Sequence, residues 1–307
     1  MTGGHFTFPI ATKASPILIE AGLWRVHIDH NRFTLSAKSQ SQSPILIANQ
    51  LAPTIYRNTI DSTTPGVLPE ISIQSTGLSA YGARILDNTI SSRSLQGSVI
   101  KVGLDESTTY DGQMDGATIR GNTIYGRNWI PPWIDYWLVR DRAIFVGYSL
   151  NAMVQRNTMF GTGYGVVIKD KGGSYSSGGV FNNKMINSNG VEPILVSGAK
   201  NVPVEGNVID DSFGSPLVIS ITANPLFPNA PATGSMLRHN DISVTGSGPV
   251  FHVDANAVPG FSSDRNWVCE DSIHRVAEIE STSYTPKEWQ ALGYDKHSTF
   301  IPCPTSG

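Results

Sequence analysis

Two neighbouring stretches of the chain gather the residue types needed for proton transfer beside a carboxylate. Arg142 and Tyr148 flank one apolar stretch, and Tyr164 and Lys169 flank the next, with Lys171 just beyond it. Such a reaction needs a base, an acid and a group that neutralises the charge growing on the carboxylate. Arginine neutralises a carboxylate well through paired donors. Lysine serves as a base when burial or neighbouring cations lower its pKa from about 10.4.

An internal repeat sets the elements that position these residues. The phrase apolar-x-x-Asn-x-apolar recurs along the chain, for example as ILDNTI (85–90) and IRGNTI (119–124), and a short apolar stretch precedes each copy. Repetition of this kind predicts a solenoid, in which a unit buries its apolar face only by stacking on its neighbours. The asparagines of the phrase are Asn31, Asn58, Asn88, Asn122, Asn157, Asn183, Asn207, Asn240 and Asn266.

Each unit is expected to contribute about three short strands that pair with their equivalents roughly 4.8 Å above and below. The asparagine of each unit would lie at a tight turn, where its side chain suits unusual backbone angles. Its amide would bond to the asparagine of the next unit and form an internal ladder. These asparagines are therefore interpreted as structural residues.

With its recurring Asn-x-Ile phrase, the chain resembles the right-handed parallel β-helix proteins of the pectate-lyase-like superfamily, and the resemblance covers residues 16–282. The resemblance implies an all-β fold, a right-handed parallel β-helix solenoid of about nine to ten coils. Right-handed coiling also agrees with the chirality of parallel crossovers. We expect a single domain over 1–307, with an N-terminal segment at 1–15 and a C-terminal cap and tail at 283–307. In that tail, the sequence TPKE (285–288) predicts a capping box and a short capping helix.

Aligning the strand that begins at Arg142 with the strand that begins at Tyr164 places several of their residues on one outer face. Alignment of Ile144 with Val166 and Ile194 turns these residues inward. Arg142, Tyr164 and Lys169 are then expected to face outward within about two strand spacings of each other. The outward columns are Arg142–Tyr164–Glu192, Phe145–Val167–Leu195 and Gly147–Lys169–Ser197, and Lys101 also faces outward.

The resemblance also implies a chemistry for this face. Similar β-helix enzymes bind a polysaccharide along the first sheet, and the chain looks like their lysine-dependent alginate- and pectate-type lyases. This implies β-elimination on a uronate-containing polysaccharide, with Lys169 as base, Arg142 as carboxylate clamp and Tyr164 or Tyr148 as acid. Aromatic faces suit sugar rings, so an aromatic insertion before Arg142 is expected to bind substrate. The expected substrate-binding residues are Trp129, Trp133, Tyr136, Trp137, Lys171, Glu192, His252 and Asp141.

Two alternatives stay open. One is glycoside hydrolysis by paired carboxylates, although the Gly-Asp-Asp phrase of polygalacturonase-type hydrolases is absent. Its candidate carboxylates are Asp105, Glu106, Asp111, Asp115, Asp135, Asp141 and Asp170. The other is a non-catalytic glycan-binding β-helix of a phage tail spike or adhesin, although the segment after the repeats is short.

Charge and composition exclude several classes of binding partner. The net charge of −3 and the lack of a basic stripe argue against nucleic acid. No apolar run approaches the roughly 20 residues of a spanning helix, so no membrane partner is expected. There is no Cys/His metal spacing. Some of the proteins that the chain resembles neutralise the carboxylate with Ca²⁺ held by clustered carboxylates. Ca²⁺ is therefore the open alternative, but no such cluster is indicated and no cofactor is expected. The expected partner is an acidic polysaccharide or oligosaccharide.

Two further features concern the compartment. The start of the chain shows no charged segment followed by an apolar one, so no secretion signal is visible. The polysaccharide substrate nevertheless predicts a secreted protein, and the tail-spike alternative predicts a virion-associated one. The cysteines, Cys269 and Cys303, could bridge the tail to the coils, but two free buried thiols are the favoured expectation.

Overall fold

A computed structural model gives the fold. The residues that it describes are 2, 4–8, 17–20, 25–35, 43–62, 69–74, 80–92, 97–103, 114–126, 142–170, 178–186, 192–211, 217–225, 227, 229, 231–245, 248–270 and 275–303. In them the chain winds through repeated coils of three short strands, and equivalent strands of successive coils form three long sheets. All pairings within these sheets are parallel except the last one of the first sheet, a hairpin between residues 277–279 and 282–284.

Among the described residues, the first sheet, called sheet 1, has 11 strands. Numbered in chain order, they are β2 (Ile17–Ile19), β5 (Ile45–Ala48), β8 (Ile71–Gln74), β12 (Ser98–Gly103), β16 (Arg142–Gly147), β20 (Tyr164–Lys169), β23 (Glu192–Ser197), β26 (Ile219–Thr222), β29 (Phe251–Val253), β32 (Ala277–Ile279) and β33 (Thr282–Tyr284).

Sheet 2 follows sheet 1 in each coil and has nine strands in the part of the chain that the structure describes. They are β3 (His27–Asp29), β6 (Thr54–Tyr56), β10 (Arg84–Leu86), β14 (Thr118–Arg120), β18 (Met153–Gln155), β21 (Gly179–Phe181), β24 (Pro203–Glu205), β27 (Met236–Arg238) and β30 (Ser262–Asp264). A small sheet between sheets 1 and 2 holds β9 (Ala80–Tyr81), β13 (Met114–Asp115) and β17 (Ser149–Leu150).

Sheet 3 completes each coil, and 11 of its strands lie within the described ranges. They are β1 (His5–Phe8), β4 (Arg32–Leu35), β7 (Thr59–Ser62), β11 (Thr89–Ser91), β15 (Thr123–Tyr125), β19 (Thr158–Phe160), β22 (Lys184–Ile186), β25 (Val208–Asp211), β28 (Asp241–Val244), β31 (Trp267–Glu270) and β34 (Thr299–Pro302). Strands β1 and β34 lie outside residues 16–282, so sheet 3 continues beyond the repeats visible in the sequence at both ends.

The core is a stack of aliphatic side chains enclosed by the three sheets. Ile55, Ile85 and Ile119 pair in register across β6, β10 and β14, and each is 0% exposed. Equivalent rows from sheets 1 and 3 fill the rest of the interior. Each coil therefore buries its apolar residues against the coils above and below, which is the stacking that the repeat predicts.

The asparagine ladder is confirmed. Asn88 donates through its backbone N and its Nδ2 to Oδ1 of Asn122, at 3.0 and 2.9 Å, and its Nδ2 also donates to the Ile55 carbonyl. The same pattern links each asparagine of the phrase to the next, from Asn31 to Asn266. One detail of the expectation is wrong, because the positive φ belongs to the residue before each asparagine, such as Arg57 at 50°. The asparagine side chains stabilise those turns through hydrogen bonds, with ordinary backbone angles of their own.

The C-terminal segment caps the last coil. Helix α1 (Pro286–Ala291) begins with the predicted capping box, in which Thr285 and Glu288 exchange hydrogen bonds, and Gly293 follows its C-terminal cap with a φ of 103°. Trp289 is fully buried and donates from Nε1 to Oδ2 of Asp295 at 2.8 Å. The helix thus covers the apolar end of the solenoid. No helix in the described part of the chain is long and apolar enough to span a membrane.

The expectation of free thiols is wrong. Cys269 in β31 and Cys303 after β34 form a disulfide bond with a Cα–Cα distance of 4.7 Å. The two strands pair directly, with Cys269 opposite Ile301. Their pairing brings the tail cysteine beside the strand, which the spacing of 34 residues along the chain does not reveal.

Candidate functional site

The outer face of sheet 1 carries the predicted site, and its register is the predicted one. Arg142 pairs with Tyr164, and Tyr164 pairs with Glu192. Gly147 and Lys169 pair in the same way at the other end of these strands. A central outward column completes the face, in the order Lys101, Phe145, Val167, Leu195, Ser220, His252 and Glu278.

Arg142 faces outward because the regular alternation of inward and outward residues is broken at the start of β16. In a regular strand it would share the inward side of Ile144. Ala143 and Ile144, however, are both in the core. Two consecutive inward residues return Arg142 to the outer face, where its Cζ lies 4.8 Å from the centre of the Phe145 ring. The guanidinium therefore leans along the strand and covers the aromatic ring in a cation–π contact.

Three cationic residues surround Phe145, and we call them the cationic group: Lys101, Arg142 and Lys169. Lys101, on the preceding strand β12, pairs in register with Phe145. Lys169 lies on the next strand, β20, and pairs with Gly147, which is two residues after Phe145. The two lysines are only 7% and 9% exposed. Three basic side chains on consecutive strands make this part of the face suited to a carboxylate or another anionic substituent of a sugar.

The two candidate acids, Tyr164 and Tyr148, lie at opposite ends of these strands. Tyr164 begins and Lys169 ends the six-residue strand β20, which separates their Cα atoms by about 16 Å. The expectation that these two residues lie within about two strand spacings is therefore wrong, because an extended strand rises about 3.3 Å per residue. Tyr148 is the phenol near the lysine, since its backbone N donates to the Lys169 carbonyl at 2.9 Å.

The upper half of the face carries a second set of polar residues, which we call the polar cluster: Glu192, Ser220, His252 and Asp254. Ser220 and His252 pair in register on β26 and β29. His252 Nε2 lies 3.2 Å from Asp254 Oδ1, and the backbone N of Ala223 donates to Asp254 Oδ2 at 2.6 Å. The aspartate is thus fixed by two hydrogen bonds, and it holds the imidazole in place.

The two carboxyl groups of the polar cluster have opposite pKa shifts. Burial raises the pKa of Glu192 to about 7, although His252 and Ser220 favour its charged form. Burial also acts to raise the pKa of Asp254, but the hydrogen bonds from His252 and Ala223 outweigh it and hold the pKa below its usual value. The hydrogen bond to Asp254 raises the pKa of His252, and the nearby Glu278 adds to this effect. A neutral acid and a carboxylate can therefore coexist near pH 7.

Several predicted site residues lie outside the described residues. They are Trp129, Trp133, Tyr136, Trp137, Asp141 and Lys171, together with the alternative carboxylates Asp105, Glu106, Asp111 and Asp135. Of the remaining alternative carboxylates, Asp115 accepts a hydrogen bond from Asn151 in the small sheet. Asp170 is buried directly after β20. Within the described ranges, no group of three or more His, Cys, Asp or Glu side chains is arranged to hold a metal ion.

Ser220 and Asp254 were not identified from the sequence. The strand sequences SPLVISI (215–221) and PVFHVD (249–254) both carry the apolar alternation of sheet 1. Extending the central column through them would have placed Ser220 between Leu195 and His252. Asp254 follows two positions after His252, which is the spacing of residues on one side of a strand.

Comparison with known proteins agrees with this architecture. The family described as the right handed beta helix region matches residues 43–229, which is more than half of the chain. No protein of curated function matches the sequence. The match covers β5 to β26 and therefore includes the cationic group, Glu192 and Ser220. A domain of this kind fits carbohydrate-active and glycan-binding proteins in general. The chain belongs to the right-handed β-helix family.

Proposed function

We propose that the chain cleaves a uronate-containing polysaccharide by β-elimination along the outer face of sheet 1. The observation that carries this proposal is the cationic group around Phe145. A uronate carboxylate beside the reacting carbon needs positive charge as it gains electron density. Arg142 is held against the ring at 4.8 Å, so its guanidinium is preorganised for that purpose.

Each residue of this group has a part in the proposed reaction. Arg142 binds the carboxylate through paired donors, and Lys101 adds a second positive charge from β12. Lys169 removes the proton at C5, next to the carboxylate. The electron pair of that C–H bond forms the C4–C5 double bond. The bond from C4 to the glycosidic oxygen breaks, and that oxygen leaves with the bonding pair and takes up a proton from an acid. Because the Arg142 side chain leans over Phe145, its guanidinium is only about two residues, or roughly 7 Å along the strand, from the level of Lys169.

The substrate class follows from charge and shape. Parallel strands stacked over successive coils give an extended face, which suits a polymer better than a small molecule. Such polymers occur outside cells, so we also expect an extracellular or virion-associated site of action.

The proposal is tested by incubating the protein separately with alginate, pectate, hyaluronan and chondroitin. An eliminase produces an unsaturated uronate, which is detected by its ultraviolet absorbance. New reducing ends without that absorbance would replace elimination with hydrolysis by paired carboxylates. Binding of a glycan without any cleavage would favour the tail-spike or adhesin alternative.

A further inference from the structure

Two buried polar atoms on the outer face of sheet 1 have no hydrogen-bond partner among the described residues: Oε2 of Glu192 and Oγ of Ser220. Ser220 is 0% exposed. Its hydroxyl is near enough to Glu192 to favour the charged form of the carboxyl, yet the two oxygens do not form a hydrogen bond of normal geometry. Buried polar atoms are rarely left unsatisfied, because they lose their hydrogen bonds to water without gaining others. Two of them in one place therefore point to a group that is supplied by a ligand.

Glu192 lies at the boundary between the two halves of the face. On one side it pairs with Tyr164, which in turn pairs with Arg142 of the cationic group. On the other side are Ser220 and the His252–Asp254 pair. The charged and titratable residues around Glu192 are Tyr164 on β20, Arg142 on β16, His252 on β29, Asp254 after β29 and Glu278 on β32. The Glu192 carboxyl lies near Ser220, which pairs with Leu195. The side chain therefore leans along the strand to about two residues, or roughly 7 Å, from the level of Lys169, which pairs with Ser197.

We propose that Glu192 is the general acid of the elimination and protonates the glycosidic oxygen that leaves C4. This role rests on the proposed function. Lys169 takes the C5 proton, the C4–O bond breaks as the C4–C5 double bond forms, and the carboxylic proton of Glu192 passes to the departing oxygen. Glu192 is then a carboxylate, Lys169 is an ammonium ion, and exchange with water restores both. Glu192 thus replaces the phenol of Tyr164 or Tyr148 as the acid.

The environment of Glu192 supports this assignment. A general acid must hold its proton at the working pH, and burial raises the pKa of Glu192 to about 7. Asp254 differs, because its hydrogen bonds keep it ionised. His252, once protonated, favours the charged form of Glu192. It is therefore a positioning and tuning residue, held by Asp254, and it need not touch the substrate.

The test compares Glu192→Gln with the wild type on two substrates. The first is the best polyuronate, in which the leaving oxygen needs a proton. The second is a uronate oligosaccharide with a nitrophenyl group on O4, whose nitrophenolate leaves without one. We expect kcat on the polymer to fall by about 100-fold or more, a nearly unchanged kcat on the nitrophenyl substrate, and loss of the alkaline limb of the pH profile. Glu278→Gln, on the same face, is the matched control and should retain activity on both.

A second variant separates the acid from its surroundings. His252→Asn removes the charge that favours ionised Glu192, so the alkaline limb should move to higher pH while the polymer is still cleaved. Equal losses on both substrates in Glu192→Gln, or unchanged cleavage of the polymer, would overturn the role of Glu192 while leaving the elimination intact. A wild-type protein that cleaves no polyuronate would remove the proposed function and this role together.

Discussion

Gly147 of β16 pairs in register with Lys169 of β20, and Ser197 of β23 pairs with the lysine from the other side. Neither neighbour has a large side chain, so no bulky group on the adjacent strands separates Lys169 from the outer face of sheet 1. Gly103 continues the same column below Gly147. A Cβ on Gly103 would lie 1.7 Å from the Gly147 carbonyl oxygen. The backbones of these two strands therefore approach so closely that only glycine fits at position 103.

Lys169→Ala should abolish turnover and leave the fold intact. The substitution removes the proposed base, while the strand keeps its backbone hydrogen bonds and its inward neighbours. Turnover is measured with the best polyuronate, and the fold by circular dichroism and the denaturation midpoint. Lys184→Ala is the matched control, because Lys184 is exposed on sheet 3, and it should behave as the wild type. Activity retained in Lys169→Ala would show that another group is the base.

Asn122→Ala should destabilise the solenoid by about 3 kcal/mol. Asn122 accepts from the backbone N and the side chain of Asn88 and donates to the Ile85 carbonyl and to Asn157. Removing its amide leaves several buried polar groups unsatisfied. The free energy of unfolding is measured in urea, with Thr89→Ala on the exposed face of sheet 3 as control. Equal stability of the two variants would contradict the proposed contribution of the ladder.

The repeat made the fold predictable, because a phrase that recurs nine times in the sequence fixes both the stacking and the register. Alignment of Ile144 with Val166 was enough to give the pairing of Arg142 with Tyr164. Other features depend on geometry that strand patterns do not carry. The consecutive inward residues at the start of β16 and the approach of Cys303 to Cys269 belong to this class.

The site was only partly predictable. The face and its cations could be identified from the sequence. Tyr164 and Lys169 were expected to be neighbours, although they lie at opposite ends of β20. The polar cluster as a unit was also missed. The orphaned oxygen of Ser220 depends on burial by neighbouring strands, and burial at that level is a property of the packed coils.

Glu70→Gln should remove part of the pH dependence of stability. Glu70 accepts a hydrogen bond from Ser92 at 2.9 Å, and burial raises its pKa from 4.5 to about 7. At pH values below 4.5 the carboxyl is neutral in both the folded and unfolded states. As the pH rises from 4.5 to about 7, the unfolded chain ionises first, so the folded state loses stability. The shift corresponds to a loss on the order of 3 kcal/mol.

The measurement is the free energy of unfolding of Glu70→Gln and wild type in urea, below pH 4.5 and above pH 7. The variant should match the wild type at the acidic pH and exceed it at the alkaline pH. Glu192 adds a similar dependence, so the variant flattens the curve only in part. The exposed Glu20→Gln is the control. A variant that gains no stability at the alkaline pH would show that Glu70 is ionised at little cost in the folded protein.

Removal of the disulfide should loosen the C-terminal cap. The bridge closes a segment with a sequence separation of 34 residues, and the loss of this constraint costs up to about 4 kcal/mol in the chain-entropy account. Cys269→Ser with Cys303→Ser should lower the denaturation midpoint and speed proteolysis after β31. Reductant should lower the wild-type midpoint to that of the double variant and leave the variant unchanged. A wild type that is indifferent to reductant would show that the tail is held by packing alone.

The central claim is that a cationic group on the outer face of sheet 1 promotes β-elimination on a polyuronate. Its most direct measurement is the rate at which ultraviolet absorbance of unsaturated uronate appears when wild type, Arg142→Ala and Lys169→Ala are mixed with each polymer. The account predicts that wild type generates the absorbance with at least one polymer and that both variants lose it. Cleavage without the absorbance, or full activity in both variants, would contradict it.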